Sequence, residues 1–426
     1  MQKQLNSVAQ WLGLGIVAGL LCGSASALFL TLLFKATSLR VATPWLVYCL
    51  PLAGLLMGWL YQVFGREVLP GSNLVLDRLH SGGPQLPWRM APLALLGTVW
   101  THLFGGSAGR EGTGVQMGAS LADGAAHAMG LNPVLRRHML AAGVAGGFAS
   151  VFGTPLAGAV FGLEVVVVGG LDYEALMPAL VAALVGDWTT RAWGVQHATF
   201  PTLDPVTLDG LMAFKWIFFG ALVATVAWVF IELTHAIKAW SQKAIASLPL
   251  RLAAGGLVIV LLAQLPDMTD YLGLSTPLIS QALGSTPPVP WAFALKLLFT
   301  AITLGFGYIG GEVTPLFVIG ACLGSTSAVM LGLPGPLAAG VGLAAMFGAA
   351  ANTPMAMIVM AVELLGRGVL PHVGLVVVVA YLLTGKRSIY TGQKWRQPKH
   401  GPEPMAVAVV ELSPAPKPAK KKARRS

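Results

Sequence analysis

Three apolar segments are each long enough to cross a lipid bilayer, and they constrain the fold more than any other feature of the chain. Residues 8–34 and 44–64 carry no charge, and residues 211–234 carry only Lys215 and Glu232. A membrane-spanning helix needs roughly 20 predominantly apolar residues to cross a hydrocarbon core about 30 Å thick. Since 55% of the residues are hydrophobic and only 10% are charged, the chain is predicted to be an all-α polytopic membrane protein.

The other apolar stretches are shorter, or Gly and Pro interrupt them, as in residues 90–107 and 315–333. Irregular backbone at membrane depth is tolerated only where protein or a water-filled cavity satisfies its N–H and C=O groups. Repeated interruptions therefore predict many short, broken helices around a pathway for a solute, as in transporters.

Both ends of the chain carry signals about its placement in the membrane. The apolar run after Gln10 continues to Phe34, which favours an uncleaved first span over a signal peptide. Residues 397–426 form a Pro- and Lys-rich tail, which we expect to be disordered and, by the positive-inside rule, cytoplasmic. Basic tails on membrane proteins are typical of topology signals or lipid contacts, so nucleic acid is not an expected partner.

Two blocks of sequence recur in the same order and indicate an internal duplication. Residues 155–164 (PLAGAVFGLE) are similar to residues 354–363 (PMAMIVMAVE), and residues 109–119 are similar to residues 311–321. Duplicated halves are typical of transporters that hold their substrate where broken helices meet. The expected parts are a first membrane repeat (1–195), an inter-repeat loop (196–210), a second membrane repeat (211–396) and the tail (397–426).

The strongest candidate for chemistry is the segment Gly109-Arg110-Glu111-Gly112, at the start of a predicted helix. A charged side chain at membrane depth costs at least ~2.5 kcal/mol and marks a functional site by default. The N–H groups and the positive end of a helix bind anions, and a tethered carboxylate competes for that place until it is protonated. Glu111 is therefore predicted to link proton movement to anion movement, and a buried ion pair with Arg110 is the alternative.

The segment Gly311-Glu312-Val313-Thr314-Pro315 forms a second helix start of this kind. Pro315 suits the first turn of a helix, and the amides before it are free to face an anion together with the Thr314 hydroxyl. Glu312 is a second ionisable group at membrane depth. We predict that it relays protons, and helix capping or a salt bridge to a loop base is the alternative.

Two weaker candidates complete the predicted anion site. Ser72 and Asn73 begin a predicted helix after Gly71, where the hydroxyl and the following amides can bind an anion. The same residues are also ordinary turn and N-cap chemistry. Tyr390 follows the last apolar run and offers a phenolic O–H to an anion, and an interfacial aromatic anchor is the alternative.

Glu164 and Glu363 occupy equivalent positions in the two apolar repeat blocks. We expect them to form buried hydrogen bonds or to pack the halves together, rather than to take part in transport. Gly114 and Gly118 are spaced as small residues at a helix–helix interface are.

With these motifs in order, the chain resembles the CLC family of anion channels and anion/proton antiporters, from about residue 10 to Tyr390. Residues 71–74 (GSNL) are similar to the GSGIP motif of the family. Residues 109–112 match its GREGP motif, with Thr113 in the place of proline. Residues 311–315 (GEVTP) correspond to its GxFxP motif.

The resemblance implies a homodimer in which each subunit forms its own pore from two inverted-topology repeats, with helix N-termini directed at the anion. It implies that Glu111 is the gating glutamate and that Tyr390 coordinates the anion. The implied location is a bacterial inner membrane, and the implied partners are fluoride or chloride ions, protons and lipid. No cofactor and no metal is expected.

Departures from the usual family motifs bear on the transported ion. GEVTP at 311–315 resembles the bacterial branch that exports fluoride against protons, so fluoride/proton exchange is the expected function. Val165 stands where chloride/proton members carry an internal proton-transfer glutamate, and Glu312 is the candidate to replace it. Ser72 keeps the chloride-type residue, whereas several members of the fluoride branch carry methionine there. Chloride/proton antiport and a passive, voltage-gated-type chloride channel are the alternatives.

An enzyme is the rival class of function. Gly105 to Gly109 satisfies the hydrolase pattern G-x-S-x-G around Ser107, with His102 nearby. The pattern requires a strand–turn–helix context and a positioned base, and the sequence indicates neither. We therefore expect a protein that is not an enzyme.

Overall fold

The structure is a computed structural model that describes residues 2–396, so the predicted disordered tail at 397–426 lies outside the described residues. The helices of the first half are α1 (Gln2–Ala42), α2 (Leu50–Phe64), α3 (Ser72–Ser81), α4 (Met90–Leu103), α5 (Glu111–Ala128), α6 (Pro133–Phe152), α7 (Pro155–Glu164) and α8 (Leu176–Ala192). Those of the second half are α9 (Gly210–Ala244), α10 (Leu248–Leu262), α11 (Thr276–Leu283), α12 (Ala292–Gly305), α13 (Val313–Leu331), α14 (Gly335–Ala351), α15 (Pro354–Leu365) and α16 (Leu370–Leu383).

Short elements connect these helices. Short 3-10 segments occur at Pro44–Cys49, Arg66–Val68, Tyr173–Ala175, Met268–Tyr271 and Arg367–Val369. Strand β1 (Val167–Val168) pairs in parallel with β2 (Lys394–Trp395). The two strands join the end of the first half to the end of the described chain.

Four segments among the described residues are long and apolar enough to cross a membrane. They are Ser7–Ala42, Pro44–Phe64, Gly210–Ala244 and Val313–Leu331. Three of them contain the predicted spans, and the fourth was expected only as an interrupted stretch. Many of the other helices are short, as the Gly and Pro interruptions predict.

The predicted span 44–64 is not one α-helix, because a 3-10 segment, Pro44–Cys49, precedes α2. Pro51 lies in the first turn of α2. Proline has no N–H to donate to the carbonyl four residues earlier, so an α-helical ladder from Pro44 is interrupted at this point. An α-helix can begin at Leu50, because the N–H groups of the first turn have no partner within the helix and the missing N–H of Pro51 costs nothing there.

The eight helices of the first half recur in order in the second half, and equivalent contacts are exchanged between the halves. The Glu363 carboxylate accepts the N–H groups of Leu156 and Ala157 at 2.9 and 2.7 Å. The Glu164 carboxylate accepts those of Met355 and Ala356 at 2.9 and 2.8 Å. Each acid therefore caps the helix that carries the other, which is the pattern expected of a pseudo-two-fold axis. The expected hydrogen-bonding role of both acids is confirmed.

Close packing of α5 on α6 depends on glycine. A Cβ atom on Gly114 would lie 2.9 Å from the Gly147 carbonyl oxygen, and one on Gly118 would collide with the Gly143 carbonyl oxygen. In the second half, Gly320 meets α14 in the same way. Small residues let the backbones of membrane helices approach closely, and glycine has this role in both halves of the molecule.

Candidate anion site

The two Gly-rich turns predicted to carry the site meet each other directly. Gly109 N–H donates to the Gly311 carbonyl oxygen at 2.6 Å, and Gly311 N–H donates to the Gly109 carbonyl oxygen at 2.9 Å. A Cβ atom on Gly311 would lie 2.8 Å from the Gly112 nitrogen. Only glycine permits so close an approach of backbone to backbone. The duplicated motifs thus place the first turns of α5 and α13 side by side.

The Glu111 carboxylate lies at the N-terminus of α13. Its side chain has 0% exposure, and Oε2 accepts the Thr314 N–H and the Arg110 N–H, each at 3.1 Å. The Thr314 hydroxyl donates to Oε1. A negative charge at the start of a helix is stabilised by the free N–H groups and the helix dipole. The carboxylate therefore fills a place with the chemistry of an anion site.

Arg110 also contacts this carboxylate, with Nε 3.4 Å from Glu111 Oε1. The distance is longer than that of a good charge-assisted hydrogen bond. The contacts with Thr314 are shorter and come from the other half of the molecule. An ion pair with Arg110 is therefore present, but it is only part of the environment of Glu111.

Ser72 begins α3 close to the same turns. An ideal Cβ atom on Gly112 would lie 3.8 Å from Ser72 Oγ and 3.2 Å from Gly311 Cα. Gly71, which precedes Ser72, has φ = 59°, a left-handed conformation that favours glycine. This residue turns the chain so that α3 begins with its first N–H groups near those of α5.

Tyr390 is 5% exposed, and together with Ser72 it lines a small, largely apolar cavity bounded by Val165 and Phe161. Val165 is thus apolar and buried at the position where a proton-transfer glutamate was considered.

A larger cavity of about 620 Å³ leads to the site, and we call it the vestibule. Ser72, Asn73, Glu312 and Tyr390 all line it. Glu312 is partly buried and forms no ion pair within the described part of the chain. Lys238, which lines the same cavity, interacts with Glu312 electrostatically, and the proton relay by Glu312 stays a prediction.

The side chain of Asn73 makes a contact that the sequence does not indicate. Its Oδ1 accepts the Gly392 N–H at 2.8 Å, so it fixes the turn after Tyr390. Val313 is 1% exposed and offers the site only its backbone N–H at the start of α13. Asn73 and Val313 can therefore offer an anion their backbone N–H groups and not their side chains.

Several polar residues of the vestibule were missed by sequence reasoning. Gln116, one and a half turns along α5 from Glu111, has its Nε2 3.4 Å from Ser72 Oγ. His235, Lys238 and Arg251 line the vestibule from α9 and α10. A lone basic residue near a helix end is usually a solvated charge or a topology signal, so only the fold shows that these three share one cavity.

Ser107, the serine of the hydrolase-like pattern, is buried with 0% exposure. Its Oγ lies 3.0 Å from Thr300 Oγ1 and accepts from Lys296 Nζ at 2.9 Å. Lys296 Nζ also donates to the carbonyl oxygen of Gly273 at 2.7 Å. An ammonium group has three N–H donors and no acceptor, and the oxygen atoms around Nζ suit such a group. These contacts give Ser107 a structural place in the turn that precedes Glu111.

Comparisons with known proteins agree with this geometry. A family model for voltage-gated chloride channels matches residues 53–385. A protein of Pseudomonas syringae pv. tomato, described as a chloride/fluoride channel protein, is 44% identical over 404 residues, which are 93% of this chain and 89% of that protein.

Two solved structures have the same fold. A CLC-type fluoride/proton antiporter superposes with a TM-score of 0.88 at 34% identity, covering 93% of this chain and 99% of the other. A slow cyanobacterial Cl⁻/H⁺ antiporter superposes with a TM-score of 0.77 at 23% identity, covering 90% and 96%. The second likeness bears on the fold alone.

Proposed function

The chain belongs to the voltage-gated chloride channel (CLC) family, and on that premise we propose that it exchanges a halide, fluoride, for protons across the membrane. The observation that carries this proposal is the Glu111 carboxylate bound at the N-terminus of α13. An anion and this carboxylate compete for the same N–H and O–H donors. Protonation of Glu111 weakens its hold on them, so each proton taken up frees a place for a halide.

Glu312 and Thr314 distinguish this site from the usual GxFxP motif of the family, and they favour fluoride as the transported ion. Fluoride is small and is a strong hydrogen-bond acceptor, and the Thr314 hydroxyl and amide are donors placed at the start of one helix. Glu312 borders the vestibule, where it can exchange protons with water and pass them to the site. The relatives whose descriptions mention fluoride support the same choice.

Chloride/proton antiport is the second candidate, and Ser72 is the observation that favours it. Its hydroxyl lines both the vestibule and the small cavity beside Tyr390. Ser72 is the residue of the chloride-type motif, and a hydroxyl at this point is able to serve either halide. The two candidates share the fold and Glu111, and they differ only in the ion that is selected.

Orientation and assembly form part of the proposal. Tyr390 and Thr391 line the vestibule close to the end of the described chain, so the vestibule and that end of the described chain lie on one side. By the positive-inside rule that side is the cytoplasm of a bacterium with the protein in its inner membrane. As the resemblance to the family implies, two copies assemble as a dimer, with one pore in each.

The test is flux from liposomes that contain the purified protein. Fluoride and chloride efflux are recorded with ion-selective electrodes while the external pH is followed. We expect fluoride efflux that is coupled to proton uptake and is much faster than chloride efflux. Equal passage of both halides without movement of protons would reject the proposal, and proton-coupled chloride efflux alone would establish the second candidate.

A further inference from the structure

Lys296 is a charged residue inside α12 with no exposed surface. No carboxylate pairs with it among residues 2–396. Ionisable residues at membrane depth are rare and mark a functional role by default. The transport scheme described above does not use this residue.

Four oxygen atoms surround the amino group of Lys296. Nζ donates to Ser107 Oγ and Ser275 Oγ, each at 2.9 Å, and to the carbonyl oxygens of Gly273 at 2.7 Å and Tyr271 at 3.3 Å. An ammonium group has three N–H donors and no acceptor, and four oxygen acceptors surround it here. These oxygens suit an ammonium group, and none of the ion pairs in the described part of the chain involves Lys296.

The fold itself does not demand a lysine at this position. Helices α4 and α12 are equivalent in the repeat, and Ala94 stands in α4 where Lys296 stands in α12. Ala94 is buried in the first half with 2% exposure. Thr98 and Thr300 are also equivalent and both bond to hydroxyl groups. The two halves therefore share the threonine position, Thr98 and Thr300, but differ at Lys296, where the first half has Ala94.

Lys296 is directly connected to the turn that carries Glu111. Ser107, which accepts its hydrogen bond, lies four residues before Glu111, and the N–H of Ser107 donates to Thr303 of the same helix at 3.1 Å. Four residues of extended chain span at most about 14 Å. The fixed charge therefore lies within reach of the site at which Glu111 and a halide compete.

Other ionisable groups around Lys296 do not cancel its charge. Arg40 from α1 and Cys322 from α13 interact with it electrostatically, as does His102 from α4. The ring nitrogens of His102 lie 2.8 and 3.0 Å from the carbonyl oxygens of Thr98 and Ala108, so His102 also contacts the turn that precedes Glu111. None of these groups is acidic at neutral pH, since Cys322 is a buried thiol.

We propose that Lys296 is a positioning residue for the anion site, which anchors the turn before Glu111 and supplies a permanent positive charge to the interior through which the halide passes. The charge stabilises a halide in the site and equally stabilises ionised Glu111. Its removal therefore weakens halide binding to the site whose Glu111 is protonated, and it lets Glu111 take up a proton at higher pH. The proposal rests on the transport function proposed above.

Two pairs of variants separate the charge from the hydrogen bonds. Lys296→Met removes the charge, whereas Thr300→Val removes a hydrogen bond to Ser107 and leaves the charge in place. Ser275→Asp sets a carboxylate beside Nζ and neutralises the charge, and Ser275→Asn is its neutral control. Ser275 has φ = 58°, a conformation in which both Asp and Asn are well tolerated.

The readouts are the halide concentration for half-maximal flux and the pH profile of flux in liposomes. A unit charge about 14 Å away, at an effective dielectric constant near 20, changes binding of an anion by roughly sevenfold and a titration by slightly less than one pH unit. We expect Lys296→Met and Ser275→Asp to raise the half-maximal concentration by about this factor and to move the pH profile upward by about this amount. Thr300→Val and Ser275→Asn should leave both quantities within roughly twofold and within a few tenths of a pH unit.

The proposal is overturned if Ser275→Asp behaves like Ser275→Asn, and this comparison holds even if Lys296→Met fails to fold. A folded Lys296→Met variant with the pH profile of Thr300→Val would overturn it equally. If the unmodified protein carries chloride and not fluoride, the fluoride assignment fails, and the same variants are then compared in chloride flux. Failure of one proposal is thereby distinguished from failure of the other.

Discussion

The two halves of the molecule match closely where they hold each other and differ where they meet the proposed anion. Glu164 and Glu363 exchange equivalent helix caps, and Gly109 and Gly311 exchange equivalent backbone hydrogen bonds. The next three positions of the two turns read Arg110-Glu111-Gly112 in the first half and Glu312-Val313-Thr314 in the second. Duplication explains the contacts that hold the two halves together. The residues that differ between the two turns are not needed for those contacts, so they are the candidates for a functional role.

The asymmetry has a physical consequence at the site. The carboxylate comes from the first half, at Glu111, and the hydroxyl donor that it meets comes from the second half, at Thr314. A second carboxylate at the position of Thr314 would repel Glu111, and a hydroxyl at the position of Glu111 would carry no proton to the site. A carboxylate that faces a donor from the other half fits the proposed site, in which Glu111 and a halide compete for the same donors.

The largest effect is expected from Glu111→Gln, which keeps an acceptor oxygen for Thr314 but cannot take up or release a proton. Coupled flux should fall on the order of 100-fold, in the range by which positioned proton-transfer groups raise rates. The measurement is fluoride efflux with simultaneous recording of pH. Glu174→Gln is the control, since that side chain is 75% exposed, and coupled flux at the unmodified rate in Glu111→Gln would remove the residue from the mechanism.

A second prediction concerns Glu312, which occupies in the second half the position that Arg110 occupies in the first. Glu312→Ala removes the only acid of that turn, so protons lose their proposed route from the vestibule while the halide keeps its path. We expect fluoride efflux to continue as a passive leak, with the ratio of protons to fluoride reduced severalfold. Glu312→Asp retains the acid and should retain most of the coupling. An unchanged ratio in Glu312→Ala would assign Glu312 to helix capping.

Thr314→Val tests the donor side of the asymmetric site with a smaller expected effect. The substitution keeps the backbone N–H and the shape of the side chain but removes the hydroxyl that meets Glu111. Loss of one hydrogen bond to a charged group, about 1.5 kcal/mol, should raise the fluoride concentration for half-maximal flux about 10-fold. Thr314→Ser keeps the hydroxyl and should stay close to the unmodified protein. Equal values for the two variants would show that the hydroxyl does not contact the transported ion.

The repeat and its motifs could be predicted because they are local patterns. The Pro-to-Glu blocks, the GREG and GEVTP turns and the long apolar spans all follow from adjacent residues. The sequence also contained a signal that was not used, since Lys296 is a single charge in the apolar stretch 290–309 and insertion cost alone marks it. Short helix α11, Thr276–Leu283, was not predicted, because eight residues with mixed polarity carry little periodic signal.

Contacts between the halves could not be predicted from sequence in the same way. Glu111 and Thr314 are 203 positions apart, and Asn73 reaches Gly392 across 319 positions. No local propensity encodes such pairs, because they depend on how the duplicated halves dock. The basic lining of the vestibule depends on the same docking, since Lys238 and Arg251 come from α9 and α10 while Ser72 comes from α3.

The smallest effect on transport is expected from the symmetric pair, and this prediction sharpens the contrast between scaffold and site. Glu164→Gln and Glu363→Gln each leave one oxygen to accept a helix N–H and lose the charge that strengthens both bonds. Each should lower the free energy of unfolding by about 1–3 kcal/mol, and Glu164→Gln by more, because Glu164 is 5% exposed and Glu363 is less buried. Unfolding in detergent gives the stability, and liposome flux gives the ratio of protons to fluoride. That ratio should equal the unmodified one in both variants; a folded variant with altered coupling would move its glutamate from the scaffold into the transport pathway.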